Sequence, residues 1–148
     1  MLNKYNWAIL GCGNIANDFA RDIIRMGGEI YSVANRTYEK AVGFAEKYNI
    51  EKVYEKVDDL FIDEKVDIVY IATPHNKHIE YILKALENNK HVLCEKAITL
   101  NSQELNKAVD LANKKNLILA EAMTIYNMPL YTELEKIINS GDLGEFRL

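Results

Sequence analysis

The chain has 148 residues, 49% of them hydrophobic and 27% charged, which suits one domain of ordinary size with a real core. A net charge of −4 leaves no basic footprint for nucleic acid and no reason to expect a membrane surface as partner. No apolar run approaches the roughly 18 residues of a spanning helix. The opening residues lack the apolar stretch of a signal peptide. Cys12 and Cys94 lie far apart, both at predicted strand ends, where reduced thiols are the default and a disulfide or metal pair is disfavoured. A cytoplasmic protein is expected.

In chain order, strand and helix signals alternate. Residues 6–10 read as a strand, whose apolar run Trp7-Ala8-Ile9-Leu10 leads directly into Gly11-Cys12-Gly13-Asn14-Ile15-Ala16. A helix follows over 14–26, with Phe19, Ile23 and Ile24 on one face, and stops at Gly27-Gly28. Residues 29–34 read as a second strand. Thr37 caps a second helix over 38–48, with Ala41, Phe44, Ala45 and Tyr48 to one side. A short strand at Val53-Tyr54 and a short helix opened by Asp58 and Asp59 around Leu60 come next. Residues 67–72 form a near-continuous apolar strand, as expected when helices cover both faces of a sheet, and Pro74 ends it. A helix over 76–88 and a strand over 91–94 follow. Asn101 then caps a helix to Lys115, with Leu105, Ala108, Val109, Leu111 and Ala112 inward, before a strand over 117–120. A last helix over 130–140 is closed by Gly141. Residues 144–148 look like the start of another strand, so the chain is expected to be a fragment of something longer. The βαβαβ series predicts an α/β fold, a doubly wound parallel sheet in a single domain, without internal repeats or low-complexity linkers.

The segment Gly11 to Ala16 is a G-x-G-x-x-A turn between a strand and a helix, an arrangement that binds the pyrophosphate of a dinucleotide. Gly11 permits the tight turn, Gly13 lets a phosphate approach the backbone, and Ala16 lets the helix pack closely on the strand. The helix N-terminus offers free N–H groups and a partial positive charge. A plain strand–turn–helix is the alternative. The ribose acceptor is expected at the end of the second strand, where NAD sites usually place a carboxylate. Here the segment is Ala34-Asn35-Arg36-Thr37. Asn35 can bond a 2′-oxygen, Arg36 can pair with a 2′-phosphate, and Thr37 and Lys40 add donors, so NADP is favoured over NAD. Otherwise Arg36 and Lys40 are solvated charges at a helix start.

Two further segments fall at carboxyl ends of predicted strands, where ligands bind in open α/β sheets: Ala72-Thr73-Pro74-His75-Asn76-Lys77-His78 and Cys94-Glu95-Lys96-Ala97. A lysine beside a nicotinamide can orient a substrate hydroxyl and help its proton leave. Glu95 can bond the nearby ribose. The alternative is a Glu95–Lys96 surface pair in a loop. His78 reads as a first-turn helix residue near the cofactor more than as a catalyst, and His75 and His91 carry less signal.

With Glu121-Ala122-Met123 leading to Pro129, these pieces come in an order and spacing that resemble the N-terminal half of the Gfo/Idh/MocA oxidoreductases, across essentially the whole chain. These are NAD(P)-dependent enzymes of sugars, cyclitols and related polyols with a Rossmann-type cofactor domain. The resemblance implies that Lys96 is the catalytic lysine. It implies that Thr73, Pro74, Asn76 and His78 line the nicotinamide side and that Glu95 contacts its ribose. Gly11, Cys12, Gly13, Asn14 and Ile15 would hold pyrophosphate, and Asn35, Arg36 and Lys40 the adenosine end. The family usually reads Glu-Lys-Pro, where the proline peptide helps set the lysine and is often cis; here Ala97 stands instead. Some members resembling dihydrodiol dehydrogenases also carry alanine here, together with Glu-Ala-Met further on. The family's second, α+β domain supplies most of the substrate pocket, usually a catalytic histidine, and the usual homo-oligomer interface. The expected division is therefore a dinucleotide-binding domain over 1–120 and, over 121–148, a final helix and the start of a crossover to that domain. Alone, such a chain should bind nucleotide and show little turnover. The rival reading is a non-catalytic nucleotide sensor or scaffold. A flavodoxin-like regulator is weaker, since it leaves the glycine spacing unexplained.

Overall fold

A computed structural model describes residues 5–144. Most of the strand expected over 144–148 therefore lies outside the described residues. Six strands form one parallel sheet in the order β3-β2-β1-β4-β5-β6. They are β1 (Trp7–Leu10), β2 (Ile30–Ala34), β3 (Lys52–Tyr54), β4 (Ile68–Ile71), β5 (His91–Cys94) and β6 (Leu119–Glu121). The helices are α1 (Asn14–Arg25), α2 (Tyr38–Tyr48), α3 (Val57–Ile62), α4 (His78–Glu87), α5 (Ser102–Lys115) and α6 (Pro129–Ser140). Successive strand residues point to opposite faces, and the buried residues divide accordingly. Ile9, Val33 and Tyr70 join Ala16, Ala20, Ile23, Ala41 and Phe44 under α1 and α2. Ala8, Leu10, Val69 and Ile71 join Leu60, Phe61, Ile82, Leu86 and Ala108 under α3, α4 and α5. The strand order reverses beside β1, which pairs with both β2 and β4. In such sheets the crevice at the carboxyl ends of the strands beside that reversal is the usual ligand position.

Several local expectations are corrected. Ile24 and Val109 are exposed, because the helix stripes that reach the sheet run through Ala16, Ala20 and Ile23, and through Ala108 and Ala112. Thr37 stands at the N-cap of α2, but its hydroxyl makes no capping bond; its carbonyl accepts from Lys40 N at 3.1 Å and Asn35 Nδ2 at 2.9 Å. Asn101 does cap α5, its side chain accepting from Glu104 N at 2.9 Å. β6 begins at Leu119 because Leu117 N still closes α5 onto Ala112 O and Ile118 N bonds His91 Nδ1 at 3.0 Å. Pro74 is followed by a 3₁₀ turn, His75–Lys77, before α4 starts, and a second such turn, Thr124–Asn127, precedes α6. No helix among the described residues is long and apolar enough to cross a membrane.

The amino edge of the sheet is closed by a polar hub. Asp63 accepts from Tyr54 Oη at 2.6 Å, Tyr31 Oη at 3.1 Å, Lys65 N at 2.9 Å, and the Lys52 ammonium. Burial pushes its carboxyl pKa up, but these bonds outweigh burial and hold it well below the usual carboxylate range. The buried Lys90 donates to Asp63 O at 2.6 Å, and burial lowers its pKa.

Candidate dinucleotide site

At the carboxyl edge the two glycines do different work. Gly11 is buried with φ +101°, and a Cβ there would lie 2.4 Å from Ala72 O. Its amide donates to Ala34 O at 2.9 Å, and Ala72 N donates to Leu10 O at 2.8 Å, so the turn is wedged between the ends of β2 and β4. Only a residue without a side chain fits. Gly13 is exposed, with φ −77°, and a Cβ there would meet nothing within 4 Å. It is the N-cap of α1, without a side-chain capping bond and with no acidic residue in the first turn. The free N–H groups and positive end of α1 thus face open space beside a bare backbone, which fits a dinucleotide pyrophosphate. Asn14 and Ile15 are exposed beside it, and Ala16 is fully buried beneath.

Asn35, expected to contact a 2′-oxygen, is also engaged within the chain. Its Oδ1 accepts Cys12 N–H at 3.3 Å and its Nδ2 donates to Thr37 O at 2.9 Å. Its amide ties the glycine turn to the β2–α2 loop, with one Nδ2 hydrogen left over. Arg36 and Lys40 are exposed and have no ion-pair partner among the described residues. Lys40 lies close enough to Cys12 to favour its thiolate, although burial dominates and pushes that thiol up to about 11. Burial, with Glu95 and Glu121 nearby, pushes Cys94 up to about 12. Both cysteines are free, and no metal-binding cluster occurs among the described residues.

The loops after β4 and β5 meet across the crevice. Tyr70, buried and stacked on Phe19 at 3.8 Å between ring centroids, donates to Glu95 Oε1 at 2.7 Å. Burial and then this bond raise the Tyr70 pKa, keeping the phenol as the donor. Lys96 is exposed, without an ion-pair partner among the described residues, and its peptide bond to Ala97 is cis. His75 Nε2 lies 2.9 Å from Lys96 O. His78, expected to line the nicotinamide side, is fully enclosed: Nδ1 lies 2.9 Å from Ala97 O and Nε2 2.8 Å from Thr73 O. Its ring joins the two loops and has no face for a ligand. Pro74 and Asn76 are exposed, and Thr73 Oγ1 is buried without a hydrogen-bond partner. In the sequence Tyr70 reads only as a core strand residue and Glu121 carries no role, although its place at a strand's carboxyl end is the available signal. Glu121 Oε1 accepts Ile98 N–H at 2.8 Å.

The stretch that carries these loops falls within a match to a known family. The description "Oxidoreductase family, NAD-binding Rossmann fold" (Gfo/Idh/MocA) matches residues 5–123. The chain is 32% identical to trans-1,2-dihydrobenzene-1,2-diol dehydrogenase of Xenopus laevis, over 95% of this chain and 44% of that protein. It is 34% identical to D-xylose 1-dehydrogenase (NADP(+)) of Hypocrea jecorina, over 93% of this chain and 39% of that protein. The crystal structure of KijD10, a 3-ketoreductase from Actinomadura kijaniata in complex with TDP-benzene and NADP, superimposes with a TM-score of 0.89 at 28% identity, covering 98% of this chain and 46% of that one. The chain thus spans less than half the length of these relatives. The family match covers well over half of the chain, and the chain belongs to the Gfo/Idh/MocA oxidoreductase family with its NAD-binding Rossmann fold.

Proposed function

We propose that the chain is the NADP(H)-binding part of an oxidoreductase acting on a sugar, cyclitol or related cyclic alcohol. The observation that carries this reading is the pairing of an α1 N-terminus without a side-chain cap at Gly13 with two exposed cations, Arg36 and Lys40, that have no ion-pair partner among the described residues, and no carboxylate at the end of β2. A carboxylate there would repel a 2′-phosphate, whereas a guanidinium pairs with one in bidentate fashion. The Hypocrea relative carries NADP(+) in its name, and the KijD10 crystal contains NADP, which supports the same preference.

In this reading Gly11, Cys12, Gly13, Asn14 and Ile15 form the pyrophosphate cradle, Arg36 and Lys40 take the phosphate, and Asn35 holds both turns in register. Thr73, Pro74, Asn76 and Glu95 border the nicotinamide end. A nicotinamide bound there supplies hydride exchange with a substrate carbon. Lys96 orients the substrate hydroxyl and takes or returns its proton, while Tyr70 keeps the Glu95 carboxylate beside it. We assign residues 1–120 to the nucleotide domain and 121–148 to the passage toward a substrate domain. The exposed stripe Leu130, Leu134, Ile137 and Ile138 on α6 supports that division, since such a face is normally covered.

Amide NMR of the labelled chain tests the reading. Added NADPH should move the signals of residues 11–16, Arg36, Thr73 and 95–97 and leave those of Lys52, Asp63 and Lys65 in place. Shifts confined to the amino edge, or none, would overturn it.

A further inference from the structure

Among the described residues the Lys96 side chain has no ion pair or hydrogen bond that aims it, so its direction depends on its backbone. Three consecutive residues there are each held by a side chain from a different element. Lys96 O faces His75 Nε2 of the 3₁₀ turn at 2.9 Å, and Ala97 O faces His78 Nδ1 of α4 at 2.9 Å. Ile98 N donates to Glu121 Oε1 of β6 at 2.8 Å. We propose that Glu121 is a positioning residue for Lys96, acting with His75 and His78 to fix residues 96–98; this rests on reading Lys96 as the reaction-centre lysine.

Glu121 is the charged member of the three holds, and a carboxylate accepting a backbone N–H makes one of the stronger hydrogen bonds in proteins. The bond joins residues 23 positions apart and is not required by the sheet, whose ladder already continues through Ala122 N to Cys94 O at 2.8 Å. Ile98 is buried, so its amide has little water to turn to. Its side chain anchors the loop in the core beside α5 while Lys96 stays outside. The carboxylate also acts on the Cys94 thiol at the end of β5, which places its charge at the root of the same loop. A glutamate serving only solubility would not reach across two strand ends to one amide.

The test uses the full chain with Glu121→Ala and Glu121→Gln, NADPH as the probe, and two NMR readouts: hydrogen exchange at the Ile98 amide and the shift that NADPH induces at the Lys96 Cε signal. Loss of the acceptor in Glu121→Ala should speed Ile98 exchange about tenfold or more and reduce the NADPH-induced Lys96 shift by at least about half. Glu121→Gln keeps a carbonyl acceptor and should retain both. Glu121→Ala leaves the buried Ile98 amide without its acceptor and should lower the melting temperature by a few degrees, whereas Glu121→Gln should stay close to the unsubstituted chain. Unchanged Ile98 exchange or an intact Lys96 shift in Glu121→Ala, or a glutamine variant behaving like alanine, overturns the positioning role alone. A wild-type Lys96 signal that NADPH does not move overturns the reading of Lys96, and the proposal with it.

Discussion

The two edges of the sheet treat charge in opposite ways. At the amino edge, Asp63 collects three side-chain donors and a backbone N–H, and Lys90 is buried against its carbonyl. At the carboxyl edge, Arg36, Lys40 and Lys96 stand exposed with no ion-pair partner among the described residues, while the neutral backbone around them is tied down by Asn35, His75 and His78. Charges that hold a fold together are paired and partly desolvated. Charges held for a ligand are left open on a backbone that other groups keep rigid.

The comparison breaks most visibly at Asp63. Asp63→Asn removes the anion and exchanges one acceptor oxygen for an amide NH2, so the remaining oxygen cannot match all four donors; it should cost about 3 kcal/mol in urea unfolding while sparing NADPH affinity. The carboxyl pKa is lowered in the fold, so this stabilisation is complete at neutral pH and is lost progressively as pH falls below about 4. The Asn variant should flatten that acid branch; an unchanged branch would mean that the hub does not govern acid stability.

The glycine pair sharpens the contrast within the site. Gly11→Ala puts a methyl 2.4 Å from a carbonyl oxygen at positive φ and should lose at least about 2 kcal/mol of stability. Gly13→Ala has room and an ordinary φ, so stability should hold within about 0.5 kcal/mol. Its NADPH affinity should nonetheless fall about tenfold, or 1.4 kcal/mol. Equal behaviour of the two variants in both assays would contradict the separate roles. The smallest effect belongs to Thr73, whose buried hydroxyl lacks a partner. Thr73→Val should raise the stability of the free chain by about 1 kcal/mol, read as a higher urea midpoint. A loss would show that the hydroxyl is satisfied in solution.

Much of this was legible in the sequence where the signal is local. The apolar period placed α2 at Tyr38–Tyr48, and the glycine spacing placed the turn at the strand-order reversal. What stayed hidden depends on contacts between distant residues. Asn35 reads as a free polar side chain until β2 brings it beside Cys12, 23 positions away. His78 reads as a helix-start residue until the loop after β5 closes over it. Ile24 and Val109 fit their helical patterns and are exposed because neighbouring stripes already cover the sheet. Periodicity reports which face is apolar but not how much of it the sheet covers.

We propose that the carboxyl edge takes a nicotinamide dinucleotide by its 2′-phosphate through Arg36. Calorimetric titration of the chain and of Arg36→Ala with NADPH and NADH tests it most directly. NADPH should bind more tightly than NADH, with about a tenfold or greater loss for NADPH alone in the variant, the size of a charge-assisted hydrogen bond. Preference for NADH, or equal losses for both nucleotides, would contradict it.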